Sequence, residues 1–512
     1  MTRWQTPRMD LTQLTATELI ELYRTGQASP VEAMQQTLER VERVDPIINA
    51  FILVDPDAGL AAARESEARW AAHRRDGSPV GAVEGVPTSI KDILWTKGWP
   101  TLRGSRAINP AQPWEEDAPS VARLREAGAA MFGKTTTPEF GCKAETNSPL
   151  TGISRNPWDP SKTPGGSSGG TAAAVAAGLG QLSMGTDGAG SVRIPAAFCG
   201  NVGMKASFGR VPAYPLSPFG SVANVGPHTM SVTDCALMMN VVAQPDPRDW
   251  TSLPYDGVDY LAGLDDGIRG MRIAYSPTLG YADVDPEVAA LVDAAVRELE
   301  ALGATVEQVD PGIEDPLDIS TGLWFVASKT VYDSLGPEGQ AVTDPDFAAQ
   351  AAQGAEFSAQ DVQLLTLKRN ALGTQMRLFM TQYDVLVTPA VAIPAFEARP
   401  AGAVPMTPES MLSWTPFSYP FNLTQQPAIT VPCGLTSAGL PVGLQIVGRA
   451  HDDVTVLRAA RGRGADDTGV DAVVDPLQLS LKPHAAAGDH CAVRADLGRP
   501  AGRCADRRAR AR

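Results

Sequence analysis

Residues 272–309 carry the pattern that most restricts the fold. Arg272-Ile273-Ala274-Tyr275 is a short run of strand character. Asp285-Pro286-Glu287 then opens a stretch whose apolar residues Val288, Val292, Ala295, Leu299 and Leu302 are spaced 4, 3, 4 and 3. That spacing lays one apolar stripe along a helix. Gly303 closes the helix, and Thr305 to Val309 reads as the next strand. A strand–helix–strand unit of this kind belongs to the α/β class.

The rest of the chain agrees. Thr15-Ala16-Thr17-Glu18 and Ser29-Pro30-Val31-Glu32 both fit a capping box, with Pro30 suited to the first helical position and Gly26 to a helix end. A third helix is expected after Asp117, through Val121, Leu124 and Arg125, ending at Gly128. Ala129 to Phe132 follows as a buried strand, residues 172–179 read as a buried helix, and Tyr383 to Pro389 is another buried strand. No internal repeat or linker interrupts the chain before residue 460.

Composition removes several function classes. The 512 residues carry a formal charge of -15, which argues against a nucleic-acid partner. No apolar run is long enough to span a membrane, and the start of the chain has no signal-like segment, so no membrane partner is expected. Six scattered cysteines without C-x-x-C suggest a reduced, cytoplasmic setting. The five histidines, at 73, 228, 451, 484 and 490, give no metal-binding spacing, so neither a metal nor another cofactor is expected.

Two motifs mislead. Gly128-Ala-Ala-Met-Phe-Gly133-Lys134-Thr135 matches a phosphate-binding loop letter for letter. Such a loop needs a strand before it and a helix after it. Here a helix precedes it, its inner residues are strand-like, and Pro138 follows almost at once. Gly165-Gly166-Ser167-Ser168-Gly169 fits the G-x-S-x-G nucleophile elbow. That elbow follows a strand and needs an acid and a His. Lys162-Thr163-Pro164 makes a poor strand, and an esterase of this type, kept as an alternative, would depend on His228 or His451.

Three other segments concentrate unusual residues. Gly85-Val86-Pro87-Thr88-Ser89-Ile90-Lys91-Asp92 places one Lys after an apolar run. Pro164 to Gly170 is a glycine loop with two hydroxyls. Gly185-Thr186-Asp187-Gly188-Ala189-Gly190-Ser191-Val192-Arg193-Ile194-Pro195 is a second glycine loop ending in Ser191. Taken together, they resemble the amidase signature family. The likeness lies in Lys91 in an I-K-D context, in G-G-S-S-G-G, and in G-T-D-x-x-G-S-x-R-x-P-A, with the two serines 24 positions apart. It extends to Gly133–Phe140, Ala197–Gly200, Pro420–Asn422, Pro427–Ile429 and Gly439–Gln445, and covers roughly residues 10–460.

The resemblance implies one large domain over residues 1–460, with a central twisted mixed β-sheet covered by helices on both faces. It implies that Lys91, Ser167 and Ser191 form a triad. Ser191 would be the nucleophile, Ser167 would sit on a cis peptide bond and bridge the other two, and Lys91 would be the final base. The oxyanion hole would fall on the backbone N–H groups of Gly188, Ala189, Gly190 and Ser191. The chemistry is reasonable on its own terms. An amide needs an activated hydroxyl, a stabilised oxyanion and a proton for the departing amine. A lysine starts near a pKa of about 10.4 and must be desolvated to serve as a base near neutrality. Val86, Ile90, Ile93 and Leu94 would supply that burial. Ser168 is expected to bond only locally, and Asp187 and Arg193 to orient the loop.

The activity implied is hydrolysis of a small-molecule carboxylic amide, with a homodimer as a possible assembly. Phe140, Gly141, Trp324 and Phe325 are candidate pocket residues for a bulky acyl or amine group. The main alternative is the glutaminase subunit of a tRNA-dependent amidotransferase. That subunit commonly has Gln where this chain has Ile194. The likeness stops near Arg461. Residues 461–512 carry 10 Lys and Arg against 7 Asp and no Glu, while residues 1–460 carry 33 basic against 51 acidic side chains. The last segment is expected to be either a disordered basic tail or the product of a shifted reading frame.

Overall fold

The unit at residues 272–309 forms one edge of a large mixed sheet. The computed structural model describes residues 9–404 and 407–462. In chain order the strands are β1 (Phe51–Val54), β2 (Pro87–Lys91), β3 (Ala130–Thr135), β4 (Asn147–Ser148), β5 (Gly152–Ile153), β6 (Leu182–Asp187), β7 (Val202–Lys205), β8 (Asn224–Thr229), β9 (Arg272–Tyr275), β10 (Thr305–Gln308), β11 (Val385–Pro389), β12 (Ala428–Leu435) and β13 (Pro441–Gly448). Strands β4 and β5 pair only with each other. The remaining 11 form one sheet in the order β1-β3-β2-β6-β8-β7-β12-β13-β11-β9-β10. The pairs β3–β2, β2–β6, β11–β9 and β9–β10 are parallel and the rest antiparallel.

The sheet is covered on both faces, as strand alternation requires. In β3, Met131 packs with Val121 and Leu124 of the helix Pro119–Glu126. Its neighbours Ala130 and Phe132 face the other way, toward Met34 and Val41 of the helix Pro30–Ile48 and the alanines of the helix Gly169–Ala176. This two-sided core accounts for the central strands, in which nearly every residue is buried.

Local signals hold where they depend on neighbours in sequence. Both capping boxes form, on Thr15–Glu18 and Ser29–Glu32, and Gly26 ends the first helix at φ 75°. The helix Pro286–Ala301 buries Val288, Val292, Ala295 and Leu299. Leu302 departs from the expected stripe. It is the C-cap residue, beyond the last turn that packs on the sheet, and it is 42% exposed. The buried helix expected at 172–179 instead runs Gly169–Ala176. Thr146 Oγ1 accepts from Gly169 N–H at 3.0 Å and fixes the earlier start, while Gly178, at φ 66°, lies beyond the end. The last helix runs Asp453–Gly462. The remainder of the atypical tail, residues 463–512, lies outside the described residues, and so do both readings of it.

The phosphate-loop lookalike is a buried strand. Lys134 is fully enclosed in β3 and donates to Leu94 O and Thr101 Oγ1, each at 2.7 Å. Burial lowers its pKa to about 8. Its nitrogen is consumed by loop-holding hydrogen bonds, so the motif's letters do not make a phosphate cradle.

Candidate active site

The parallel register of β2 and β6 creates the site. Ile90 pairs with Met184, so Lys91, the last residue of β2, emerges beside Gly185 and Thr186 near the end of β6. The glycine loop before the helix Gly169–Ala176 covers the same strand ends. Lys91 Nζ lies 2.7 Å from Ser167 Oγ, 2.9 Å from Ser168 Oγ and 2.8 Å from Thr186 Oγ1. The lysine is completely buried. That burial drives its pKa well below the ordinary lysine range, and the negative charge of Asp187 opposes it only in part.

The loop at 165–168 is held tightly. Thr146 Oγ1 donates to Gly165 O at 2.8 Å, and Ser168 N–H donates to Ser191 O at 3.1 Å. The Gly166–Ser167 peptide bond is cis. A Cβ on Gly166 would sit 2.6 Å from the backbone of Glu145, so only glycine fits there.

Asp187 organises the second loop. Its carboxylate accepts from Gly190 N–H at 2.7 Å and Val192 N–H at 3.2 Å. It also accepts from Arg193 Nε and Nη2, both at 3.0 Å, and from Asn422 Nδ2 at 2.9 Å. Burial pushes the Asp187 carboxyl up, but the Arg193 guanidinium outweighs it and holds the pKa far below the usual carboxylate range. Arg193 in turn donates to Gln445 Oε1 and Asn422 Oδ1, each at 2.6 Å. The loop-orienting role read from the sequence thus has a full set of partners.

Among the described residues, the Ser191 hydroxyl has no hydrogen-bond partner, and Ser191 and Ser167 line the same cavity of about 110 Å³. No hydrogen bond joins these two serines. The backbone N–H groups of Gly188, Ala189 and Ser191 are also without partners among the described residues. Gly190 differs from the expected oxyanion set. Its N–H is committed to Asp187, because the carboxylate draws it into the turn that starts the helix Arg193–Cys199.

The cavity wall separates the four expected pocket residues. Phe140, Gly141 and Trp324 line it. A Cβ on Gly141 would come within 3.2 Å of Ser167 Oγ. Phe325 does not line it and is 2% exposed, packed with Leu412 and Tyr419. Successive residues of a helix point about 100° apart, so Trp324 reaches the cavity while Phe325, in the same buried cluster, does not. Phe219, which the sequence reading missed, stacks on Trp324 with ring centroids 3.9 Å apart. Ser168 and Thr186 were missed as partners of Lys91, since hydroxyls in glycine-rich segments carry no distinctive spacing.

Neither histidine proposed for an esterase reaches the serines. His228 is buried in β8 against Asn201, and burial lowers its pKa to about 3. His451 follows β13 and its N–H donates to Ser207 Oγ. Neither lines the cavity. A larger apolar groove of about 540 Å³ lies where the helix Pro30–Ile48 meets the β1 edge of the sheet, and none of these serines borders it. Among the described residues there is no group of three side chains suited to a metal ion, and no helix is long and apolar enough to cross a membrane.

Known proteins resemble this chain in sequence and in fold. The model of the family described as Amidase matches residues 32–457. An acylamidase from Rhodococcus erythropolis is 38% identical over 87% of this chain and 94% of its own length. A glutamyl-tRNA(Gln) amidotransferase subunit from Myxococcus xanthus is 38% identical over 88% of this chain and 97% of its own length. Among solved structures, a bacterial aryl acylamidase of the amidase signature family superposes with a TM-score of 0.83 at 29% identity, covering 92% of this chain and 99% of that one. The 6-aminohexanoate cyclic dimer hydrolase superposes with a TM-score of 0.82, also at 29% identity, covering 92% and 100%. The match of the family model over most of the length, with the same fold in the solved relatives, places this chain in the amidase signature family, whose members act on C–N amide bonds.

Proposed function

We propose that this protein is a free-standing amidase that hydrolyses a carboxylic amide through a Ser191 acyl-enzyme. The observation that carries this reading is the buried Lys91 Nζ at 2.7 Å from Ser167 Oγ, beside a cavity that Ser167 shares with the unpartnered hydroxyl of Ser191. A neutral amine has two N–H bonds and one lone pair. Ser168 and Thr186 can take the two N–H bonds, which leaves the lone pair for the Ser167 O–H.

Ser191 Oγ attacks the amide carbon as its proton passes to Ser167 Oγ and the Ser167 proton passes to Lys91 Nζ. The carbonyl oxygen becomes an oxyanion beside the free N–H groups of Gly188, Ala189 and Ser191. The relay then runs in reverse. Lys91 returns a proton through Ser167 to the amine, the C–N bond breaks, and the acyl group stays on Ser191. Water repeats the sequence and releases the acid. The relay needs one contact absent from the structure, Ser191 Oγ to Ser167 Oγ, and such contacts tighten on substrate binding. No metal or cofactor is required by these steps, and a cytoplasmic setting suits the four buried free thiols among the described residues.

A panel of aliphatic amides, anilides, urethanes and cyclic amides tests this reading. Turnover of at least one class by the wild type, and none by Ser191→Ala, is expected. Equal turnover by Ser191→Ala would remove the mechanism. The identity with the Myxococcus protein supports a second reading, that of a glutaminase working within a larger amidotransferase. Ammonia release from glutamine that appears only with a partner chain would favour it. The aromatic wall of Phe140, Phe219 and Trp324 favours a larger, less polar substrate than glutamine.

A further inference from the structure

Among the described residues, the cavity is bordered by two charged side chains, Asp187 and Arg103. Asp187 is neutralised by Arg193 and by loop N–H groups. Arg103 is compensated only in part: burial lowers its pKa, and the negative charge of Asp92 opposes that without overcoming it. It is half-buried, yet its guanidinium makes no hydrogen bond and no ion pair with the described residues. A guanidinium offers five N–H donors and stays charged. The nearest acid, Asp92, is already engaged. It accepts from Leu102 N–H at 3.1 Å and Gly104 N–H at 3.4 Å, and lies 3.7 Å from Lys134 Nζ. Asp92 therefore anchors the backbone on either side of Arg103 and attracts its charge, but makes no hydrogen bond or ion pair with its head group.

The backbone points the same way. Arg103 is in the left-handed region at φ 55°, and Phe140, which donates its N–H to Arg103 O at 2.8 Å, is there at φ 50°. Such conformations in bulky residues persist where the surroundings impose them, and they cluster at binding sites. Here both residues form the cavity wall, one cationic and one aromatic. A half-buried cation beside an apolar cavity is unfavourable unless an anion completes it.

We propose that Arg103 is a specificity-determining residue that binds a carboxylate carried by the amide substrate, while Phe140, Phe219 and Trp324 hold the substrate's apolar body. This rests on the amidase reading above and narrows it to amides bearing a second, anionic group away from the scissile bond. Arg103 takes no part in the proton relay.

Two substrate pairs test it. One places the anion on the amine side, para-acetamidobenzoate against para-acetamidotoluene. The other places it on the acyl side, N-phenylsuccinamate against butyranilide. The wild type is expected to favour the anionic member of one pair by about tenfold or more in kcat/KM, the scale of a charged hydrogen bond. Arg103→Asn suits the left-handed backbone and should erase that preference through KM, leaving the neutral member within about threefold. Arg103→Lys should restore part of it. No preference in either pair, or an equal loss on both members of a pair in Arg103→Asn, would overturn the proposal.

Calorimetric binding of the same four compounds to Ser191→Ala, with and without Arg103→Asn, reads the contact without turnover. Tighter binding of an anionic member that depends on Arg103 supports the assignment even if no member is hydrolysed, and absence of turnover across the wider amide panel would then sink the amidase reading alone. Equal binding with and without Arg103 overturns the assignment even if all four are hydrolysed.

Discussion

Lys91 and Ser168 are hydrogen-bonded, Nζ to Oγ at 2.9 Å, although Ser168 has the look of a turn residue. The same hydroxyl donates to Thr186 O at 3.1 Å, so it ties the glycine loop to the end of β6 and to the lysine at once. Ser168→Ala is expected to lower kcat by about tenfold, the worth of one hydrogen bond to a group that becomes charged. Removing an acceptor also disfavours the protonated lysine, so the acid limb of the pH profile should move to lower pH. A pH–rate profile of the variant checks both.

Lys91 must be neutral to accept a proton. Its pKa is depressed, and the active form is lost as pH falls through that depressed value. The rate should therefore rise with pH along a limb whose midpoint lies below about 10.4, the free lysine value. Lys91→Ala should reduce kcat/KM by on the order of 10³ or more and abolish the limb. Circular dichroism should show the fold retained.

Asp187 and Arg193 are both fully buried and paired. Asp187→Asn leaves Arg193 as an uncompensated buried charge and should cost about 3–5 kcal/mol in unfolding free energy, measured by denaturant titration. The folded-state pKa of Asp187 is depressed, so its stabilisation is present above the unfolded value of 3.8 and is lost as pH falls below it. Acid unfolding of the wild type should show this loss, and Asp187→Asn should show less of it.

Trp324 and Phe325 are adjacent and belong to one buried cluster, but only Trp324 also lines the cavity. Trp324→Ala opens the cavity wall and should raise KM for aromatic amides about tenfold, with a smaller effect on short aliphatic ones. Phe325→Ala empties a packed site and should cost about 3–5 kcal/mol of stability, with KM nearly unchanged. Steady-state kinetics and thermal unfolding of the two variants separate the roles.

The sequence alone determined those features that depend on neighbours along the chain. The capping boxes at Thr15 and Ser29, the apolar stripe from Val288 to Leu299 and the strand–helix–strand unit are all local, because hydrogen bonds within a turn and side-chain periodicity need no distant partner. The three segments around Lys91, Ser167 and Ser191 were legible through their residue types and the likeness they carry. Tertiary structure alone decided the rest. The register of β2 on β6 brings Lys91 to Thr186 and Ser168, and a contact across 95 positions leaves no periodic trace. Gly190 turns its N–H to Asp187 because a buried carboxylate must be satisfied, whatever the glycine loop would otherwise offer a substrate. Phe325 stays within the core cluster it shares with Trp324, and Trp324 alone also borders the cavity, because the placement of their helix fixes which residue reaches which surface. The half-buried Arg103 is of the same kind: nothing beside it in the chain distinguishes it, and only the folded wall of the cavity shows that its guanidinium makes no hydrogen bond or ion pair with the described residues.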